Sequence, residues 1–209
     1  MKSSSYPIDY SKLSVHINDK AIFFIEKWLH PYWFYLIIKN PRDTKLGDYR
    51  YPMKGTPHKI TINAGMPPSL CFLTLTHEIA HLIAFDQYSR SILPHGKEWK
   101  SVFSSLLFES IEVYEADLKI LIMKYAKNPK ASYYADKDLS EYFNRLQNPN
   151  QLLLKDLKHN YPFKIKNRTF FKLEKAKSRY ICIEEKTNKK YLIDGNAPIE
   201  EVNYYEEKE

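Results

Sequence analysis

Cysteine and glycine are scarce in this sequence, whose 209 residues contain two cysteines and five glycines. Two cysteines, Cys71 and Cys182, cannot supply a four-cysteine zinc site or the disulfide framework of a small secreted domain. So little glycine, with 12 prolines, also excludes collagen-like and low-complexity chains. The longest uninterrupted apolar run, residues 32–38, is far too short for a membrane span, and the first residues lack the apolar stretch of a signal peptide. We therefore expect a soluble cytoplasmic protein with no membrane partner.

Apolar and aromatic residues, by contrast, are plentiful, at 44% and 15% of the sequence. Those shares are too high for a disordered chain, and a chain of this length buries a sizeable core without disulfides. The length fits one domain, or one domain with a small appendage. The formal net charge of +7 suits either contact with a polyanion such as nucleic acid or plain solubility.

The hydrophobic pattern predicts an α+β fold in which helices dominate the first part of the chain. Helices are predicted over residues 22–29, 70–85, 97–108, 112–127 and 136–147, and strands over residues 33–39, 46–51 and 59–63. The helix over residues 70–85 has apolar side chains on nearly every face, which is typical of a helix inside a core.

The sequence divides into two predicted parts, residues 1–150 and residues 151–209. Basic side chains dominate the start of the second part, where residues 151–190 hold 12 Lys and Arg against 4 Asp and Glu. Residues 191–209 form an acidic tail, with six Asp and Glu against one Lys. Aromatic and β-branched residues on both sides of a turn at Asn188 predict a β-hairpin. The second part is therefore expected to be a small basic β-rich appendage.

The motif His-Glu-Ile-Ala-His occupies residues 77–81, in the middle of the predicted core helix. Residues four apart share one face of a helix, so that His77 and His81 can offer ring nitrogens to one Zn²⁺. Glu78 is then placed to act as general base towards metal-bound water. The motif is expected by chance only about 0.02 times in a chain of this composition. Two histidines and a carboxylate buried in an apolar helix also need polar partners, which a metal ion supplies.

A catalytic zinc needs a third protein ligand and one open position. We choose His95, because it lies beyond a loop long enough to turn back and directly before a predicted helix. Gly96 lets the backbone bend closely there, and Trp99, one helical turn later, is placed to pack against the ring. The alternatives are Asp86, Glu98 and Glu109, the last of which would give a two-His-one-Glu site. The other histidines are assigned to surface or packing positions: His16, His30, His58 and His159.

These residues resemble the SprT-like zinc metallopeptidases, relatives of the Spartan proteases. The family pattern is HExxH followed by a third histidine in an H-G-x-x-[WF] stretch, which residues 95–99 match. Residues 45–49 and 60–63 also stand where the family has a Leu-Gly turn and an I-x-I-N strand. The similarity covers residues 18–108, and the two-part match is more specific than HExxH alone, which would indicate only the zincin class.

The resemblance implies a minimal zincin fold that hydrolyses peptide bonds, with Glu78 as catalytic base. It also implies one bound Zn²⁺ with three ligands, His77, His81 and His95. In the Spartan branch the substrates are proteins bound or crosslinked to DNA. Many SprT-like proteins carry a C-terminal zinc ribbon with paired cysteines, whereas only Cys182 is present in that part of this sequence. We therefore expect a ribbon-like β appendage without zinc.

Basic and aromatic residues are interleaved in the second part of the chain. The candidates for nucleic-acid contact are Lys164, Lys166, Arg168, Lys172, Lys175, Lys177 and Arg179. Their charges would neutralise phosphates while neighbouring aromatic rings stack on bases. Alternation along strands of a small solvated sheet produces the same pattern without a ligand, and both interpretations stay open.

Two functions follow from these observations. The first is a zinc-dependent endopeptidase acting on a protein or peptide substrate, with DNA-associated proteins as candidates. The alternative is a non-enzymatic zinc-containing DNA-binding or adaptor protein. The fourth zinc position discriminates between them, since water favours the enzyme and a protein side chain favours the scaffold. An oxyanion stabiliser is left open among several tyrosines, including Tyr51, Tyr88 and Tyr114.

Overall fold

The computed structural model describes residues 10–202 except residues 43, 54 and 178. The fold is mixed α+β, which confirms the predicted class. The chain divides into two compact units, Met1–Phe143 and Asn144–Glu209. The division falls within the last long helix, whereas the sequence prediction places it after residue 150.

The first unit is built from helices around one three-stranded sheet. Its elements are helices α1 (Tyr10–Ser14), α2 (Asp19–Leu29), α3 (Pro68–Tyr88), α4 (Lys97–Glu109) and α5 (Ala116–Ala126), the start of α6 (Lys137–Gln147), and strands β1 (Phe34–Lys39), β2 (Gly47–Arg50) and β3 (His58–Asn63). The predicted single helix over residues 112–127 was wrong at its start. Residues Ile111–Val113 form a separate 3₁₀ turn before α5, and helix α1 was not predicted.

Strand β3 is the centre of the first sheet, whose order is β1-β3-β2. It pairs in parallel with β1 and antiparallel with β2. The half of β3 that includes Ile60, Ile62 and Asn63 is buried, because helix α3 packs against this sheet. The sheet therefore brings the end of β3 and the edge strand β2 to the same helix.

Helix α3 is the core helix of the first unit. Most of its side chains from Ser69 to Ala84 are buried, as the apolar pattern predicted. By length and composition alone the stretch Pro68–Ser91 could cross a membrane, but 72% of its most apolar window is buried inside the structure. The core helices of soluble proteins pass the same test.

The second unit is a six-stranded antiparallel sheet. Its strands are β4 (Leu152–Leu153), β5 (Pro162–Ile165), β6 (Arg168–Ala176), β7 (Arg179–Glu184), β8 (Lys190–Asp194) and β9 (Pro198–Glu201), in the order β4-β9-β5-β6-β7-β8. The predicted hairpin is confirmed as β7 and β8. Phe163, Phe170 and Cys182 lie in one apolar cluster, where the fully buried cysteine acts as a small apolar residue.

An ion pair supports the inner side of this second sheet. Arg168 donates from Nε to Glu184 Oε1 at 2.7 Å, and the other carboxylate oxygen of Glu184 accepts a hydrogen bond from Thr187. These donors lower the pKa of Glu184 to about 2, with the Arg168 bond as the largest cause. A folded-state pKa below the ordinary value means that the ionised form stabilises the fold.

We expect Glu184→Gln to lower the thermal midpoint of the second unit at pH 7. The deficit should shrink as the pH falls from about 4.5 towards 2, because wild-type Glu184 takes up its proton in that window and loses its advantage. Thermal unfolding followed by circular dichroism across this pH range measures the difference. Glu174→Gln, at an exposed position of β6, is the matched control. A pH-independent deficit would contradict the assignment.

Candidate metal centre

Three imidazole rings converge at one point in the first unit. His77 and His81 project from α3 one turn apart, and His95 comes from the loop before α4. The Nε2 atoms of His77 and His81 are 3.2 Å apart, those of His81 and His95 are 3.0 Å apart, and those of His77 and His95 are 3.1 Å apart. Three histidines therefore lie close enough to bind one metal ion.

The donor set fits a divalent ion that prefers nitrogen ligands. Four-coordinate Zn²⁺ with Zn–N bonds of about 2.0–2.1 Å places its nitrogens about 3.3 Å apart, close to the observed separations. Three ring nitrogens packed this closely cannot all be satisfied by hydrogen bonds to one another, and buried polar atoms without partners are costly. A cation at their centre removes that cost.

Burial keeps these histidines neutral. It lowers the pKa of His77 to about 2 and that of His81 to about 3, with the charges of the neighbouring histidines adding to the effect. Burial also lowers the pKa of His95. All three rings are therefore unprotonated near pH 7, which is the form that binds a metal.

The approach of His95 depends on a tight turn. His95 has φ of 58°, in the left-handed region that non-glycine residues rarely occupy. The turn is closed by a hydrogen bond from the Gly96 N–H to the Leu93 carbonyl at 2.9 Å. Uncommon backbone conformations of this kind cluster at functional sites, and this one turns the ring back towards α3.

Trp99 lies against the ring of His95, as the sequence predicted, and also against the rings of His77 and His81. Its ring centroid is 4.7 Å from that of His77, 5.2 Å from that of His81 and 4.6 Å from that of His95. Trp99 is fully buried and packs in turn against Phe103, with ring centroids 4.9 Å apart. The imidazoles are thereby held from one side by a rigid aromatic wall.

Glu78 is buried between helix α3 and strand β2. A Cβ atom at Gly47 would stand 2.6 Å from Glu78 Oε1 and 2.9 Å from a methyl carbon of Thr74, so that only glycine fits there. Burial raises the pKa of Glu78 to about 8, the charge of Asp48 adds to the rise, and a hydrogen bond from the Tyr49 N–H opposes it.

Asn63, at the end of β3, fixes the loop that leads into β2. Its Nδ2 donates to the carbonyls of Lys45, at 2.9 Å, and Arg42, at 3.2 Å. Its Oδ1 accepts from Arg42 Nε at 2.7 Å, and its N–H donates to the Leu46 carbonyl at 2.8 Å. In the sequence, Asn63 stands out only as part of the I-x-I-N resemblance. Its contacts show that it positions Gly47, and through Gly47 the Glu78 side chain.

The triad and Glu78 open together onto a cleft of about 820 Å³. Its walls come from β2, from α3, from the loop before His95 and from residues 131–134. Of the tyrosines named as oxyanion candidates, Tyr51 lines this cleft. Tyr88 and Tyr114 do not, and Tyr114 is buried beside Phe72 instead.

The alternative third ligands are engaged elsewhere. Glu109 accepts a hydrogen bond from Trp28 and pairs with Lys27, and Asp86 accepts from Tyr32 at 3.5 Å. Glu98 pairs loosely with Lys97 at 3.8 Å. Within the described part of the chain, His95 is therefore the residue that completes the cluster. Of the histidines assigned to other positions, His58 packs beside the site, where its Nδ1 hydrogen-bonds the Tyr49 hydroxyl at 2.9 Å.

The basic candidates of the second unit fall into three groups. Lys164, Lys166, Lys175, Lys177 and Arg179 are exposed. Arg168 is also exposed, but it is paired with Glu184. Lys172 was wrongly included, because its side chain points into the sheet interior and is only 5% exposed. Its ammonium donates to the carbonyls of Lys155 and Leu157 and lies over the Tyr180 ring, so that it cannot reach a phosphate.

No protein-family model, curated protein or solved structure matches the chain. The resemblance to SprT-like metallopeptidases therefore rests on the sequence motifs, and the functional argument rests on those motifs and on the geometry of this site.

We expect His95→Ala to weaken zinc binding by at least about 100-fold, because the variant keeps only two of the three imidazole ligands. Competition with a chromogenic chelator at pH 7 measures the affinity. His30→Ala removes an exposed histidine outside the cleft and should leave the affinity unchanged. Equal zinc affinity of wild type and His95→Ala would show that the three rings do not share one ion.

Proposed function

We propose that this protein is a cytoplasmic zinc-dependent endopeptidase of the SprT-like kind. One observation carries the proposal: three neutral imidazoles with Nε2 atoms 3.0–3.2 Å apart share an open cleft with the buried carboxyl of Glu78. A cleft of about 820 Å³ has room for a segment of peptide. Helix α3 packed on the sheet of β1, β3 and β2 supports the zincin-like interpretation of the fold.

The roles are divided among the residues of the cleft. Bound zinc would polarise the scissile carbonyl and lower the pKa of an attacking water. His77, His81 and His95 would hold the ion as neutral ligands. The positive charge of the ion would lower the pKa of Glu78, so that its carboxylate takes the proton of the attacking water and returns it to the leaving amine. Gly47 and the Tyr49 N–H hold the Glu78 carboxylate in position for both transfers.

The number of protein ligands favours an enzyme over an adaptor protein. Structural zinc sites are almost always closed by four protein ligands, whereas catalytic sites have three and leave one position for water. Among the described residues, no fourth histidine, cysteine or carboxylate joins the cluster. The position of the cluster on a cleft supports the same choice.

We expect Glu78→Gln to bind zinc as the wild type does but to hydrolyse peptides at least about 100-fold more slowly, because the amide cannot accept the proton. Zinc content measured by elemental analysis and cleavage of an unfolded protein substrate followed by mass spectrometry test the two halves of this statement. Glu98→Gln is the matched control, since Glu98 is a nearby carboxylate that does not line the cleft.

A second variant reaches the same carboxylate from strand β2. Gly47→Ala places a methyl group against Glu78 and should also slow hydrolysis without loss of zinc. Gly55→Ala is the control. It strains a backbone of positive φ, but its methyl group has no atom within 4 Å, so it shows the effect of general destabilisation without a clash. Retained cleavage by Glu78→Gln would refute the role of Glu78 as base.

We also propose that the substrates are proteins associated with DNA. Five exposed lysine and arginine side chains of the second unit support this part of the proposal, as does the resemblance to the Spartan branch. Two of them, Lys175 and Lys177, lie at the end of β6 and in the turn that follows. Exposed cations of this kind neutralise phosphates and release counterions.

DNA affinity should fall steeply with salt, and Lys175→Gln/Lys177→Gln should make the salt dependence shallower by about 1.5 to 2 units in the log–log slope. The salt dependence of the wild type and of the variant is measured by fluorescence anisotropy of labelled single- and double-stranded DNA, at salt concentrations between about 50 and about 200 mM. Lys186→Gln/Lys189→Gln removes the same charge from the turn between β7 and β8 and should change the slope less. Absent or salt-independent binding would remove the DNA part of the proposal.

A further inference from the structure

One cation in the cleft is held in place by aromatic rings. Arg90 lies in the 3₁₀ turn Ser89–Ser91, directly after α3. Its guanidinium carbon is 4.1 Å from the centre of the Tyr51 ring. Tyr51 stacks in turn on Phe85, with ring centroids 5.4 Å apart and planes within 7° of parallel. Arg90, Tyr51 and Phe85 all line the same cleft as the histidines, so the charge is fixed on its wall.

The edge of this guanidinium is available for a ligand. Other basic side chains around β2 are engaged: Lys45 and Arg50 both pair with Asp48, and Arg42 bonds Asn63. Among the residues that the structure describes, no carboxylate lies within 4.0 Å of Arg90. A guanidinium has five N–H donors in a planar fork that matches a carboxylate, and a cation–π contact with a ring leaves these donors available to a ligand.

We infer that Arg90 determines specificity by binding a carboxylate of the peptide substrate, from either an acidic side chain or a free C-terminus. The inference rests on the proposed peptidase function and names the class of peptide that this site prefers. Salt bridges on exposed surfaces are generally weak, but here stacking on Tyr51 fixes the guanidinium before the substrate arrives, which lowers the entropic cost of binding.

The position of Arg90, directly after the end of α3, sets the reach of this recognition. Phe85 lies four residues, about 6 Å, beyond His81 along the helix axis, and Arg90 follows after the end of the helix. An extended peptide advances about 3.3 Å per residue. The recognised carboxylate therefore lies about two to four residues from the bond that is cleaved.

A set of peptides with one uncharged background sequence tests this. In one arm a single Glu is moved along the peptide, with Gln at the same position as its neutral counterpart. In the other arm the peptide has no acid and ends in either a free carboxylate or an amide. Cleavage by the zinc-loaded protein gives kcat and KM for each pair. We expect about a tenfold preference for the acid in at least one pair, mainly in KM, that shrinks as the salt concentration rises.

The variants assign that preference to Arg90. Arg90→Gln should reduce the acid-to-neutral ratio to about one, and Arg90→Lys should retain part of it, since lysine keeps the charge but loses the planar fork. Lys20→Gln removes a charge from α2, whose residues do not line the cleft, and should leave the ratio intact. An unchanged ratio in Arg90→Gln, or no acid preference at any position, overturns the inference.

Binding and cleavage separate this inference from the proposed function. Anisotropy of the same labelled peptides with zinc-loaded Glu78→Gln reports recognition without hydrolysis. An acid preference in binding that depends on Arg90, with no cleavage by the wild type, supports the inference and contradicts the peptidase. Cleavage without an acid preference supports the peptidase function and contradicts the inference about Arg90. Absence of both binding and cleavage contradicts both.

Discussion

The mutual approach of the ring nitrogens of three half-buried histidines is the constraint on which the rest of this structure depends. With Nε2 atoms 3.0–3.2 Å apart and burial holding the rings neutral, the arrangement is costly by itself and favourable around a cation. Helix α3 supplies two of the rings at a fixed spacing because it is packed on nearly every side and cannot rotate. The third ring depends on a turn with left-handed backbone at His95. Trp99 then limits the movement of all three.

The position of Glu78, which we propose as the catalytic base, is set by a different part of the chain. Asn63 binds the loop before β2, and β2 in turn presents Gly47 and the Tyr49 N–H to Glu78. A short antiparallel edge strand therefore sets the position of a group on the core helix. In this chain, Asn63 at the end of β3 and the turn at Gly47 therefore act on the same site as residues 77–81, from the side of β2.

Local pattern predicted the longer helices, apart from the start of α5, and the histidine pair, because both follow from periodicity over a few residues. The choice of His95 as third ligand required the assumption that the loop before it turns back towards the first two histidines. Its position directly before a predicted helix supported that choice. The contacts of Asn63 and Gly47 join segments far apart in sequence and had no local signal. Lys172 was wrongly predicted to contact nucleic acid for a related reason. Lys175 on the same strand and Lys164 on β5 carry the same charge, and the pairing of Lys172 with Cys182 turns its side chain inward. The acidic alternatives Glu109 and Asp86 were excluded only by their tertiary partners.

X-ray absorption spectroscopy of the zinc-loaded protein tests the central claim most directly, because it counts and identifies the atoms around the ion. The account predicts one zinc per chain with three imidazole nitrogens at about 2.0–2.1 Å and one light oxygen ligand that is not a protein side chain. The oxygen should be displaced by a small metal-binding inhibitor such as a hydroxamate, while the three nitrogens remain. A sulfur ligand, a fourth protein ligand that resists displacement, or fewer than three nitrogens would contradict it.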